Sequence, residues 1–324
     1  MKVFITGGTG YIGAHLIKEL ISQGHQVHAL VRNIEKATQL PKEGLLLFKG
    51  DLGDSESIKE AMKGCDQVYH MGGDASIWAK DSSRYYTINV DGTQNVLDAA
   101  LELNVKRVVF TSTAGVLGPS HDGVVTEKKF RNIDFFNDYE SSKAMAESLV
   151  KSYVAEKNLD VVIVSPTRVF GPVLFGDPAS LTLLISKYAK GRWRIIPGDG
   201  SKIGNYVFVD DVVKGHILAM ENGVKGGTYI LGGENHSYNE FFKILREESG
   251  LDYKLIKTSI GVQLLFAHLN KFFAILRNKK PALTTKWVRR GNYHWEVSPN
   301  KAIEELKLKI TPLREGINRT LKSL

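Results

Sequence analysis

The chain has 324 residues and one cysteine, Cys65, so an internal disulfide framework is excluded and a reducing, cytoplasmic setting is expected. Its hydrophobic and charged fractions, 43% and 24%, are ordinary for a globular protein and leave room for one large α/β unit or two smaller ones. The net charge of +8 suits an anionic ligand, but the only concentrated basic stretch, RNKKPALTTKWVRR, lacks zinc-ligand spacing, RNP aromatics or a basic heptad region, so no nucleic-acid partner is expected.

The first predicted strand, KVFIT, follows Met1 directly, with no separate apolar leader segment. It runs into TGGTGYIG, which spaces Gly7, Gly10 and Gly13 as G-x-x-G-x-x-G between that strand and the helix AHLIKELISQG, ending at Gly24. Glycines here allow a tight turn and the close approach of a pyrophosphate to the positive end of the helix. Thr9, Tyr11 and Ile12 of the same loop are therefore expected to border a dinucleotide. The next strand, QVHALV, ends in LVRN. An acid there would suit the ribose hydroxyls of NAD. Arg32, with Lys36 nearby, suits a 2′-phosphate instead, so NADP(H) is favoured and NAD(H) stays open. The strand LLLFKGD ends in GDL, where Asp51, beside Leu52, is placed to accept a hydrogen bond from the adenine amino group. After the helix SESIKEAMKG, the strand QVYHM ends in HMGG, and Met71 and Gly72 stand where the cofactor backbone would pass. His70 is read as structural.

A helix, TQNVLDAALELN, precedes the strand KRVVFTST, whose end sets the hydroxyls of Thr111, Ser112 and Thr113 in a row. Then come the helix YESSKAMAESLVKSYVAEKN and the strand DVVIVSP. That helix holds two Tyr-x-x-x-Lys pairs. In a parallel α/β sheet ligands bind beyond the carboxyl ends of the strands, where each helix begins. Tyr139 lies in the first turn; Tyr153 lies about 20 Å further down the helix, on the wrong side of the sheet. Position therefore selects Tyr139 and Lys143 over Tyr153 and Lys157. A free phenol is a poor base at neutral pH, but a nearby ammonium stabilises the phenolate. Tyr139 can then give a proton to a carbonyl oxygen as hydride arrives, Lys143 can tune it and bind the nicotinamide ribose, and Thr113 can polarise the carbonyl, with Ser112 in reserve.

Strands alternating with helices predict an α/β fold, a Rossmann doubly wound parallel sheet, with a smaller, mostly helical C-terminal substrate lobe. The expected division is 1–166 plus 205–233 for the dinucleotide-binding part and 167–204 plus 234–324 for the lobe. Within the lobe, IGVQLLFAHLNKFFAILRNKK is interrupted by Gln263, His268, Asn270 and Lys271, so no membrane span is expected. Three readings stay open for it: a helix covering an apolar substrate pocket, a weak peripheral membrane helix over 260–280, or ordinary core. Trp78, Trp193 and Trp287 are candidates for the same cleft. No metal site is expected.

Taken in order, TGGTGYIG, GDL, NVDGTQNVL, FTSTAG, YESSK, SPTRVFGP and VFVDDV resemble the extended short-chain dehydrogenase/reductase family, within the NAD-dependent epimerase/dehydratase superfamily, over nearly the whole chain. The resemblance implies a Tyr-Lys-Ser/Thr catalytic set at Tyr139, Lys143 and Thr113, the last more often serine. It implies an organising role for Asn89 and backbone contacts to the nicotinamide at Pro166 and Val169. Sugar-nucleotide members hold a diphosphate with an asparagine and an arginine where this chain has Arg168 and Gly204. Losing the arginine forfeits charge-assisted hydrogen bonds worth on the order of 1.5–3 kcal/mol each. The pattern is closer to the dihydroflavonol 4-reductase-like and 3β-hydroxysteroid dehydrogenase-like reductases. The expectation is thus an NADPH-dependent reductase, monomeric or homodimeric, of a small-molecule ketone or aldehyde, reversibly oxidising a secondary alcohol. A nucleotide-sugar epimerase or dehydratase with tightly held NAD is the alternative, and a non-catalytic dinucleotide-sensing protein is the second.

Overall fold

The computed structural model describes residues 1–37, 40–277 and 279–324, without the side chain of Lys36, so the expectation for Lys36 lies outside the described residues. The chain opens with β1 (Lys2–Thr6), α1 (Tyr11–Ser22), β2 (Gln26–Val31), β3 (Leu45–Lys49), α2 (Ser55–Met62) and β4 (Gln67–His70). A short α3 (Ser83–Tyr86) passes through a π-helical turn, Thr87–Asp91, into α4 (Gly92–Glu102). Then come β5 (Arg107–Thr111), α5 (Asp138–Lys157), β6 (Val161–Pro166), β7 (Arg168–Phe170), α6 (Ser180–Ala189), β8 (Ile195–Pro197), β9 (Ile203–Phe208), α7 (Val209–Asn222) and β10 (Thr228–Leu231). The remainder is β11 (Glu234–Ser237), α8 (Tyr238–Ser249), β12 (Ile256–Thr258), α9 (Ile260–Leu276), α10 (Thr285–Gly291), α11 (Asn300–Leu306) and α12 (Leu313–Lys322).

Seven strands form one parallel sheet in the order β10-β6-β5-β4-β1-β2-β3. The strand order reverses beside β1, which makes the crevice between the carboxyl ends of β1 and β4 the topological switch point where such sheets take their ligands. The strands are apolar throughout because both faces are covered. One core, including Leu16, Ile17, Val164 and Val212, fills the side under α1 and α7; another, including Phe4, Val96, Phe110 and Ile163, fills the side under α2, α4 and α5. β9, which carries VF of the VFVDDV stretch, does not join this sheet. It pairs with β7 and β11 in a three-stranded sheet, and β8 pairs with β12. A third, aromatic-rich core, including Phe170, Tyr188, Tyr206 and Phe241, lies beneath α6, α8 and α12.

α9 departs from two of its three expected readings. Of its side chains only Ala267 is fully buried, and the large apolar ones other than half-buried Leu264 are exposed, so it is neither core nor a lid whose apolar face closes over a pocket. Among the described residues no helix is long and apolar enough to cross a membrane.

Candidate active site

The glycine loop packs against neighbouring backbone too closely for side chains at its first and third glycines. Gly7 has φ +73, a left-handed conformation, and a Cβ there would lie 2.8 Å from the backbone of Met71 and Gly72. A Cβ at Gly13 would lie 2.2 Å from the Gly7 carbonyl oxygen. The Gly10 amide donates to that carbonyl at 2.9 Å, closing the turn. α1 then begins with no side-chain cap, which leaves its first amides, those of Tyr11, Ile12 and Gly13, directed at the crevice. The Tyr11 side chain is spent elsewhere, donating to the Gly171 carbonyl at 2.8 Å, so Tyr11 can offer a ligand only its backbone. Ile12 packs into the core beneath.

A cleft of about 170 Å³ runs from this loop along the strand ends, lined by Thr9, Arg32, Asp51, Leu52, Gly72 and neighbouring residues. Arg32 is exposed. Asp51 holds its own turn by accepting from the Gly53 amide at 3.0 Å. Arg84, which sequence reasoning missed, also lines the cleft, held by a 2.6 Å bond from its Nε to Asp74. A narrow groove with glycine floors, uncapped helix amides and two guanidinium groups fits a dinucleotide.

Tyr139 sits in the first turn of α5, which Asn137 caps by accepting from the Glu140 amide at 2.9 Å. Burial raises the Tyr139 pKa above its ordinary value, and the nearby Thr113 hydroxyl and the positive charge of Arg290 offset only part of that rise. Thr113 lies near the phenol in the turn after β5, where its Oγ1 accepts from the Gly115 amide at 3.2 Å. Lys143, one turn on and on the same face, is buried with its ammonium 4.2 Å from the centre of the Phe110 ring. Burial lowers its pKa to about 8, against the pull of Glu147. The two side chains border different spaces. Tyr139, Trp78, Lys271 and Lys286 line a cavity of about 290 Å³, and Thr113 and Pro166 line a small chamber beside it.

Asn89, in the π-helical turn, organises this ground. Its Oδ1 accepts from the Asp74 amide at 2.7 Å and its Nδ2 donates to Ser142 Oγ at 2.9 Å, which clamps α5 to the loop after β4. Ser142 in turn donates to the Tyr139 carbonyl at 2.9 Å. His70 is fully buried between Thr6 and Thr93, at 2.7 and 2.9 Å, and burial lowers its pKa to about 3, so it is a neutral structural residue.

Three expected residues have side chains turned to other work. Ser112 donates a very short hydrogen bond to buried Glu147 and is no reserve for Thr113. Thr111 pairs with His216 at 2.9 Å, tying β5 to α7. Val169 packs against the main core, leaving only its backbone for a ligand. Tyr153, the rejected tyrosine, donates to Asp98 on α4 at 2.6 Å, with Lys157 over its ring. Trp193 packs in the aromatic core, whereas Trp287 donates to the Ile77 carbonyl at 3.2 Å beside the cavity.

The structure links two residues that look independent in the sequence. A Cβ at Gly204 would lie 2.6 Å from a guanidinium nitrogen of Arg168. Arg168 therefore occupies the space above Gly204, and the missing side chain is what admits it. Arg290 enters the same small chamber from α10. Its Nε donates to Glu140 at 2.7 Å, and Arg131 reaches the same carboxylate at 3.1 Å. Only the basic run around 289–290 hinted at Arg290, because a link spanning 150 residues has no local signature. Among the described residues no cluster could hold a metal ion.

Comparison with known proteins places the chain in a family. The chain is 35% identical over 243 residues to cinnamoyl-CoA reductase 1 of Petunia hybrida, covering 70% of this chain and 71% of that one. It is 31% identical over 269 residues to the bifunctional dihydroflavonol 4-reductase/flavanone 4-reductase of Malus domestica, covering 76% of each. Its fold matches that of UDP-glucose 4-epimerase from Thermotoga maritima with a TM-score of 0.82 over 100% of this chain and 98% of the other, at 22% identity. The model of the NAD dependent epimerase/dehydratase family matches residues 3–232, and this chain, an extended short-chain oxidoreductase with a Rossmann fold, belongs to that family.

Proposed function

We propose that the protein is an NADPH-dependent carbonyl reductase acting reversibly on a ketone or aldehyde. The observation that carries this reading is the arrangement of Tyr139, at the ligand edge of α5, with the Thr113 hydroxyl near it and buried Lys143 one turn below. When bound, the nicotinamide supplies or accepts the hydride. Tyr139 gives its proton to the carbonyl oxygen in reduction and takes it back in oxidation. Thr113 holds that oxygen. Arg290 offsets part of the burial that raises the Tyr139 pKa, and Lys143 together with the oxidised nicotinamide would supply the further positive charge that makes the phenol a workable acid and base. The glycine loop and the α1 amides hold the pyrophosphate, Asp51 meets the adenine, and Arg32 grips the 2′-phosphate. The relatives named as reductases support this branch of the family.

A second reading, nucleotide-sugar epimerisation, is favoured by one observation. Arg168 and Arg290 converge beside Thr113, so the chamber can take an anionic group despite Gly204. One experiment separates the readings. NADPH deuterated at nicotinamide C4 is incubated with a panel of ketones and aldehydes, and UDP-sugars are tested in parallel. The reductase reading expects one deuterium per product and stoichiometric NADPH loss. Interconversion of UDP-sugars on co-purified NAD, with no net cofactor use, would overturn it. So would tight NADPH binding with no turnover of any substrate, the signature of a sensing protein.

A further inference from the structure

α9 is amphipathic in the inverted sense. Gln263, Ala267, Asn270 and Ala274 form the seam that faces the protein. Gln263 donates to the Thr258 carbonyl at 2.7 Å, and the side-chain Oδ1 of Asn270 accepts from the Ala282 amide at 2.8 Å. The opposite stripe, at positions spaced three and four apart, carries Val262, Leu265, Phe266, Leu269, Phe272 and Leu276, each about half exposed or more. Phe273, 51% exposed, sits within it. A helix of a globular protein ordinarily turns such a stripe inward. Here the docking groups are polar or small apart from half-buried Leu264, and most of the large apolar groups meet water, a patch that calls for a partner.

The charge around the stripe says which partner. Residues 253–295 contain no aspartate or glutamate, although the chain has 35 acids. Lys254 and Lys257 precede the helix, Lys271 lies within it, and Arg277, Lys279 and Lys280 follow; all six are exposed, and none is in an ion pair among the described residues. An isologous pairing of two copies through this face would set cation against cation with no acid from the segment between them. An anionic bilayer offers both complements at once: acyl chains for the stripe and lipid phosphates for the cations on either side. We infer that α9 docks the protein onto anionic membrane surfaces, lying in the interface with its Leu/Phe stripe inserted and its basic flanks on the headgroups. Because Lys271 also lines the cavity beside Tyr139, the docked helix holds the mouth of that cavity next to the bilayer.

The test is flotation of the full chain, loaded with NADPH, with vesicles of equal parts phosphatidylcholine and phosphatidylglycerol, against vesicles of phosphatidylcholine alone. The protein is expected to float with the anionic vesicles and to bind about ten-fold less well in high salt or on the neutral vesicles. Leu265→Glu with Phe272→Glu should abolish flotation, and Lys279→Glu with Lys280→Glu should weaken it about ten-fold, both with NADPH affinity unchanged as the sign of an intact fold. Wild-type protein that stays in solution would overturn the inference. So would a concentration-dependent dimer that the Leu265/Phe272 change dissociates while vesicles go unbound, since the stripe would then belong to a second copy.

Discussion

Lys143 carries a desolvation penalty for which the proposed catalytic role accounts. Its ammonium is buried against an aromatic ring and meets no hydrogen-bond acceptor among the described residues, and its pKa falls to about 8. In the unfolded chain it titrates near 10.5, so between those values the unfolded state binds the extra proton and stability rises with pH; below about 8 the full penalty stands. Lys143→Met should therefore stabilise the cofactor-free protein at pH 7 by on the order of 3 kcal/mol, with the gain fading as pH approaches the lysine's ordinary value, while turnover collapses. Thermal melts from pH 6 to about 10 check this, and equal melting of both proteins at pH 7 would refute it. Arg32 is a simpler case. Exposed at the cleft, it should discriminate between cofactors, so Arg32→Glu should raise KM for NADPH by about ten-fold or more and leave that for NADH nearly unchanged. The positions of Tyr139, Lys143 and Arg32 were legible because each is fixed by its distance from the end of one helix or strand. The Arg168–Gly204 exchange was not, because a guanidinium arriving over a glycine from a neighbouring strand leaves no local pattern.

At the scale of elements, α1 and α5 show how packing overrides propensity. Gly13 stands within α1, where alanine would be the better helix former by about 1 kcal/mol. Yet its Cβ would lie 2.2 Å from a backbone oxygen that cannot swing aside. Gly13→Ala should thus destabilise the protein by roughly 1–3 kcal/mol and weaken cofactor binding, read by urea denaturation and cofactor titration. A stabilised variant would show that the loop can give way. The β–α alternation was legible because strands covered on both faces read as unbroken apolar runs and each helix ends in a recognisable stop, such as Gly24 or Asn158. The π-helical turn at Thr87–Asp91 was not, since it exists to present Asn89 to two partners that are remote in sequence. α9 stayed open among three readings for a related reason: the sequence shows an apolar segment but not which way its apolar side chains face.

In the molecule as a whole, one buried carboxylate ties the C-terminal segment to the Rossmann sheet. Glu140, 1% exposed, holds Arg131 from the preceding loop and Arg290 from α10. Glu140→Gln would leave two partly buried cations without their counter-charge, and a loss on the order of 3–5 kcal/mol in denaturant unfolding is expected. A loss near zero would mean that the two arginines find other partners. The tie also delivers Arg290's charge to Tyr139, so the site is completed only once the last third of the chain has folded back. All of this serves a single chemical claim, that the phenol of Tyr139 carries the proton. The most direct measurement is the turnover of Tyr139→Phe with NADPH and a ketone substrate. A fall in kcat of roughly 10²–10⁴-fold, with NADPH affinity held within a few-fold, is predicted; turnover equal to that of the wild type would contradict the account.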